Sequence, residues 1–328
     1  MGEDSRRRPP GRSPAGRLMA LALTACLVAA CSGQPQETGV AAPQRAASES
    51  SSGSGQTDDQ TGPRAAGSTT GDVAADLPDT PSTDEPAALA GQLDLAVATL
   101  RDLDAPARDV RQAGEFHQLA VRSLATGSAS FRRNVTSRLQ RETARAVVPT
   151  IGAARELHDL TSPQPSLPRW RIVAPPPPRE LLGHYRYAQR RTGVPWTYLA
   201  AIHLVETRMG RIRGTSTAGA RGPMQFLPST WELYGAGGDI NDPQDAILAA
   251  ARLLKRHGAP DDMTGALWHY NPSDYYVHAV SAYARTMERA AYLYRGYWHW
   301  RVLYRHKRGT YVLPAGYPKV GPLLPPEP

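Results

Sequence analysis

From Pro86 onward, apolar positions recur at three- and four-residue spacing. Leu89, Leu93, Val97 and Leu100 form one stripe, and Phe131, Val135 and Leu139 another; Val110, Phe116, Leu119 and Leu124 suggest a less regular one between them. That spacing puts apolar side chains on one face of a helix. It predicts a small helical bundle or hairpin over 86–160. Helical patterning returns over Glu180–Thr192. Gly193-Val194-Pro195-Trp196 then restarts a helix, with Pro195 suited to its first turn. This helix is apolar almost all round, running through Tyr198, Leu199, Ile202, Leu204 and Val205 to Met209, with Gly210 as its stop. A further start lies at Asn241-Asp242-Pro243-Gln244-Asp245, where Asp242 reads as the N-cap and Pro243 as the first helical residue. That helix runs to His257 and ends at Gly258. A last helix is predicted from about Tyr275 to Tyr294. Strand signals are few: Trp300–Tyr304 and Thr310–Leu313, joined across His306–Gly309, suit one late hairpin. The fold class is therefore mainly α.

Other stretches lack any such period. Residues 32–85 contain no aromatic side chain and are dense in Ser, Gly, Thr, Gln, Asp and Pro. A segment of that kind cannot bury enough apolar area to offset its chain entropy, so it reads as a disordered tether. Residues 161–178 end in four prolines, Pro175 to Pro178, and read as a semi-rigid polyproline II spacer. The predicted order is a leader over 1–31, the tether over 32–85, a helical module over 86–160, the spacer over 161–178, a main helical domain over 179–296 and an aromatic, basic tail over 297–328.

The leader follows from charge and cysteine placement. Arg6, Arg7, Arg8, Arg12 and Arg17 precede an apolar run from Leu18 to Ala30. The run is too short to span a bilayer but suits a signal sequence. Val28-Ala29-Ala30-Cys31 resembles a bacterial lipobox, in which the cysteine takes a lipid and becomes the mature N-terminus. Leu23-Thr24-Ala25-Cys26 also fits but leaves a shorter apolar core, so Cys31 is preferred. These are the two cysteines of the 328-residue chain, so the mature protein would hold no disulfide. The expectation is an exported protein, lipid-anchored to the outer face of the cytoplasmic membrane within the cell wall. The formal net charge of +8 suits a polyanionic partner, or reflects no more than an arginine-rich composition. Nucleic acid is not expected of an exported chain.

Glu206 is the candidate for chemistry. It stands near the end of "YLAAIHLVETRMG", where Leu199, Ile202 and His203 share its helix face. Burial disfavours a charged carboxylate, and a carboxyl kept protonated can act as a general acid. The alternative is a helix-end glutamate paired with Arg208, Arg211 or Arg213. Further on, "AGARGPMQFLPSTW" (218–231) places Gln225 among core-grade Met224, Phe226, Leu227 and Trp231, interrupted by glycine and proline. A stiff apolar wall carrying an amide suits a sugar groove; the alternative, a buried glutamine satisfying loop backbone, is compatible with that role.

"VETRMG", then "GPMQFLPSTW", then "WHYNPSDYYV" together resemble the catalytic domain of lytic transglycosylases with the goose-type lysozyme-like fold, most clearly from about Pro168 to Met287. The resemblance implies that Glu206 is the acid ending the first core helix. It implies that Met224, Gln225 and Phe226 line the glycan cleft, and that Tyr270 and Asn271 lie beside the acid. Two positions depart from the family: Thr207 replaces the usual serine, keeping its hydroxyl, and Pro272-Ser273 follows Tyr270-Asn271 in place of Ala-Gly. The implied substrate is peptidoglycan, cut between N-acetylmuramic acid and N-acetylglucosamine.

Ordinary glycosidases use two carboxyl groups. Here Asp239, Asp242 and Asp245 are explained by helix capping, and Asp274 by the turn before the last helix. One carboxyl would then serve twice, as acid and as base, while the 6-hydroxyl of the muramyl residue closes a 1,6-anhydro ring. Hydrolysis by a muramidase and non-catalytic wall binding are the rival readings. No cofactor or metal is expected: Pro243 and Gln244 break the calcium-loop pattern after Asp239, and His203, His257, His269 and His278 lack ligand spacing. A monomer is expected.

Overall fold

The computed structural model describes residues 77–321 and 323. The leader, the proposed lipid site at Cys31 and most of the expected tether lie outside these residues. The chain begins with four helices, α1 (Pro86–Arg101), α2 (Ala107–Thr126), α3 (Ala129–Thr136) and α4 (Arg141–Leu160). Leu89, Leu93 and Leu100 on α1, Phe116 and Leu124 on α2, and Ile151 and Leu157 on α4 are buried together. Pro149 lies inside α4, where it removes one backbone donor.

The second set is α5 (Pro178–Thr192), α6 (Trp196–Thr207), α7 (Pro228–Tyr234), α8 (Pro243–Arg256), α9 (Met263–Tyr270) and α10 (Asp274–Arg289). Every residue of α6 from Thr197 to Thr207 is buried, as an all-round apolar helix requires. The α8 start is as the sequence indicated: Asp242 Oδ1 accepts from Asp245 N at 3.0 Å. The last predicted helix is broken. It ends at Arg289, and α11 (Leu293–Trp298) begins after a short turn. The turn serves tertiary anchors: Tyr297 Oη shares a 2.7 Å hydrogen bond with Thr150 of α4, and Tyr294 Oη donates to Pro178 O at 2.8 Å.

The expected separation of module, spacer and main domain does not hold. One continuous apolar core runs from Leu77 through α1, α2 and α4 into α6, α10 and α11. The described residues fall within one compact unit. The amphipathic faces of α2 and α4 find their partners on α10 and α11, so neither half buries its apolar stripe alone. Leu77, 4% exposed, already belongs to this core, and its carbonyl accepts from Gln112 Nε2 at 2.7 Å. Order thus reaches back into the end of the segment expected as tether.

The proline-rich segment is likewise held rather than free. Polyproline carbonyls have no internal partners, and the C-terminal aromatics supply donors. Tyr304 Oη donates to Ser166 O (2.9 Å), Tyr317 Oη to Pro168 O (2.6 Å) and Trp298 Nε1 to Pro176 O (3.0 Å). Short strands β1 (Arg171–Ile172) and β2 (Ile212–Arg213) pair antiparallel, tying this segment to the chain just beyond α6. The predicted hairpin is present as β3 (Val302–His306) and β4 (Gly309–Leu313), with Val302 opposite Leu313 and His306 opposite Gly309. Its Val302, Tyr304 and Leu313 form a second small core with Ile172 and Tyr317. No helix among the described residues is long and apolar enough to cross a membrane.

Candidate active site

Helix α6 delivers Glu206 to its C-terminal end and stops abruptly. Arg208, Met209 and Gly210 all take positive φ (53°, 59° and 82°), and Arg208 N and Met209 N donate back to Leu204 O and His203 O. Two consecutive non-glycine residues in the left-handed region carry strain, which accumulates at functional sites. The turn points the chain away just after Thr207. Glu206 is 7% exposed, and Tyr276 Oη, from the first turns of α10, donates to its Oε1 at 2.8 Å. The arginines weighed as partners bond elsewhere: Arg208 Nη1 to Leu204 O (2.6 Å), Arg211 Nη1 to Arg208 O (3.3 Å) and Arg213 Nη1 to Asn241 O (3.4 Å).

The segment 218–231 forms a tight loop and then α7. Arg221 and Phe226 exchange two backbone hydrogen bonds of 2.8 and 2.9 Å, closing the turn between them. Gly222 (φ 74°) and Gln225 (φ 50°) make that turn. A Cβ at Gly222 would lie 1.9 Å from Ile240 O, so only glycine fits where the loop meets the chain before α8. Gln225 is 7% exposed, and its Nε2 donates to Gly222 O at 2.8 Å, so its amide satisfies the loop's own backbone.

Side chains on both flanks clamp the loop. Thr207 Oγ1 donates to Pro223 O at 2.6 Å and accepts from Gly210 N at 3.1 Å. The hydroxyl of Thr207 therefore has a structural role for which either serine or threonine suffices. Tyr270 Oη donates to Met224 O at 2.6 Å. Phe226 packs edge-on against both Trp231 and Tyr270, with ring centroids 5.5 and 6.1 Å apart. Tyr270 in turn lies parallel to Tyr276 at 6.3 Å, which closes the chain of contacts back to Glu206. Asn271, 7% exposed, caps α9 beside Tyr270.

The structure thus brings Glu206, Thr207, Met224, Phe226 and Tyr270 into one contiguous set, with Gln225 in the clamped loop and Asn271 at its edge. Tyr276 was missed. Its signal was its place on the apolar stripe Tyr276, Val280, Tyr283 and Met287, where a buried tyrosine must find a partner for its hydroxyl. Sequence gives no means to choose that partner. Nearby His203 is fully buried, shares a 2.7 Å hydrogen bond with Tyr185, and is held neutral by burial, which lowers its pKa to about 3.

Glu206 also lines a cavity of about 120 Å³ where α2, α4, the β3–β4 hairpin and Trp170 meet the end of α6. It is the one carboxylate among that cavity's lining residues. The other carboxylates considered serve turns: Asp239 Oδ1 accepts from Asn241 N (2.8 Å), and Asp245 Oδ2 from Asp239 N (2.9 Å). No group of three His, Cys, Asp or Glu suited to a metal occurs among the described residues.

Residues 184–292 match the family model of the transglycosylase SLT domain. This chain carries an SLT domain. The matched span opens inside α5 and closes before α11, so α1–α4 and the hairpin lie outside it. Among known proteins, the chain is similar to membrane-bound lytic murein transglycosylase F of Thiobacillus denitrificans, at 29% identity over 153 residues. That alignment covers 41% of this chain, and the chain spans about a third (32%) of the relative's length. No solved structure matches it. The mainly α, lysozyme-like architecture expected from the sequence agrees with the SLT match.

Proposed function

We propose that the chain is a peptidoglycan lytic transglycosylase in which Glu206 acts first as acid and then as base. The observation that carries this reading is a single carboxyl, 7% exposed and held by Tyr276, inside an SLT domain. Protonated Glu206 gives its proton to the bridging oxygen, and the bond from that oxygen to the muramyl anomeric carbon breaks. The carboxylate left behind takes the proton of the 6-hydroxyl as that oxygen bonds to the same anomeric carbon. The 1,6-anhydro ring closes, Glu206 is reprotonated, and no water is consumed. Attack within one sugar has a large effective molarity, so a second carboxylate is unnecessary. Tyr276 fixes the carboxyl orientation, and the clamped loop with Met224, Gln225 and Phe226, together with Tyr270 and Asn271, forms the wall along which the glycan lies.

Digestion of purified sacculi tests the proposal. Products ending in anhydromuramyl residues are one water lighter than reducing-end products, and only reducing ends would identify a muramidase instead. Glu206→Gln should lower the rate by about 10²–10⁴-fold. A wall-binding scaffold would release no fragments even before substitution. We further propose export and anchoring through a lipid on Cys31. The lipobox-like Val28-Ala29-Ala30-Cys31 supports this, and Cys31→Ala should leave the protein unlipidated and no longer membrane-associated.

A further inference from the structure

The cavity beside Glu206 is built mainly from residues outside the SLT match: the α2 and α4 helices, Trp170 and the β3–β4 hairpin supply most of its wall. Its charge is unusual for an interior. Arg208 bonds only Leu204 O. Arg305 Nη1 bonds His158 O (2.7 Å) and Thr161 Oγ1 (2.9 Å), besides Thr161 O. All these acceptors are neutral, and neither guanidinium is in a salt bridge among the described residues. Burial lowers the pKa of both arginines. At Arg305 the charge of Arg122 adds to that effect and Asp159 opposes it. Burial, followed by the charge of Arg305, also lowers the pKa of His158 on the same wall. Glu206 is the one carboxylate lining the cavity against Arg122, Arg208 and Arg305, so positive charge is in excess there and an incoming anion would offset it. A second donor waits there too: Trp300 lines the cavity at 3% exposure, and its Nε1 is buried without a hydrogen-bond partner. At the rim, half-buried Trp170 stands edge-on to Tyr304 at 5.5 Å and offers an aromatic surface.

We infer that this cavity is a subsite for a carboxylate carried by the substrate, held by Arg305 and Arg208 with Trp300 Nε1 as a further donor. The N-acetylated sugars of the glycan backbone are neutral. The acidic groups of peptidoglycan reside on the peptide stems of its muramyl residues, so the subsite selects strands whose stems bear free carboxylates. The inference rests on the transglycosylase reading and deepens it. It also accounts for the position of α2, α4 and the hairpin, which bring a cationic wall to the side of Glu206.

Binding to full-length Glu206→Gln protein tests the inference without turnover. Calorimetry would use a soluble disaccharide-peptide fragment, once with its carboxylates free and once after carbodiimide amidation. The free form should bind about tenfold more tightly, as expected for charge-assisted pairs. Arg305→Gln and Arg208→Gln, each in the Glu206→Gln background, should bring the two forms to within about twofold. Arg305 also holds loop carbonyls, so Arg305→Lys provides the folding control; it keeps the charge and should keep the preference. Trp300→Phe should weaken binding of the free form and leave the amidated form unchanged. Equal affinity for both fragments, binding of neither, or a preference that survives both arginine-to-glutamine substitutions overturns the inference. If the wild type releases no anhydro products while the preference is intact, the transglycosylase reading fails and the subsite stands.

Discussion

Replacing Gly222 by alanine separates two costs that are usually confounded. Gly222 and Gly219 both sit in the left-handed region, at φ 74° and 87°. A side chain at either position costs about 1–2 kcal/mol in that conformation. Their surroundings differ. A Cβ at Gly219 meets nothing within 4 Å, whereas at Gly222 it would lie 1.9 Å from Ile240 O. Real Cβ contacts essentially never fall below 3.0 Å, so the loop or the chain before α8 must move by about 1 Å. That movement strains the hydrogen bonds from Thr207 and Tyr270 that clamp Pro223 O and Met224 O. Gly219→Ala should therefore cost about 1–2 kcal/mol. Gly222→Ala should cost at least about 3 kcal/mol, in the range of severe core defects. For a folded unit of this size the Tm difference between the two variants is a few degrees, at about 2–4 °C per kcal/mol. Activity should diverge more, because about 1 Å of misplacement near a reacting centre can cost about 10²-fold. Denaturant unfolding and turbidity clearing of sacculi measure the two effects. Equal stability and equal activity for the two alanine variants would refute the claim that close approach to Ile240, and not backbone conformation, demands glycine at 222.

Tyr276→Phe removes the hydroxyl that holds Glu206 and should lower kcat by about 10–100-fold at nearly unchanged KM, since a hydrogen bond to a buried carboxyl is worth about 1.5–3 kcal/mol; steady-state kinetics on soluble glycan strands would show it. Thr207→Val strips Pro223 O and Gly210 N of a buried partner and should cost about 1–3 kcal/mol in denaturant unfolding, whereas Thr207→Ser should cost far less. His117 and His203 are buried, and burial lowers their pKa values to about 4 and about 3 from about 6.5. The unfolded chain therefore binds protons that the folded one refuses, so stability present above about pH 6.5 is lost as pH falls toward 3–4. The loss is at most about 3–5 kcal/mol per histidine. His117→Leu should flatten that acid limb by about one proton, measured as unfolding free energy against pH.

The sequence itself determined the elements whose cause is local. The Asp242-Pro243 start of α8 follows from side-chain capping and proline stereochemistry, and the burial of α6 follows from its lack of a polar face. The hairpin was legible in its two apolar runs, and Glu206 stood out as the carboxyl in a helix that has no other. What depended on long-range partners was not legible. The break after Arg289 lets Tyr294 and Tyr297 reach α5 and α4. The proline-rich segment looked like a spacer because its unpaired carbonyls are visible in sequence, while the tail aromatics that satisfy them come from more than a hundred residues away. Tyr276 as partner of Glu206, and the cationic cavity joining helices and hairpin to that carboxyl, likewise belong to tertiary structure. Local propensity acts over a few residues, so it specifies helices and turns. The choice of which buried hydroxyl meets which carboxyl is made by packing between segments far apart in the chain.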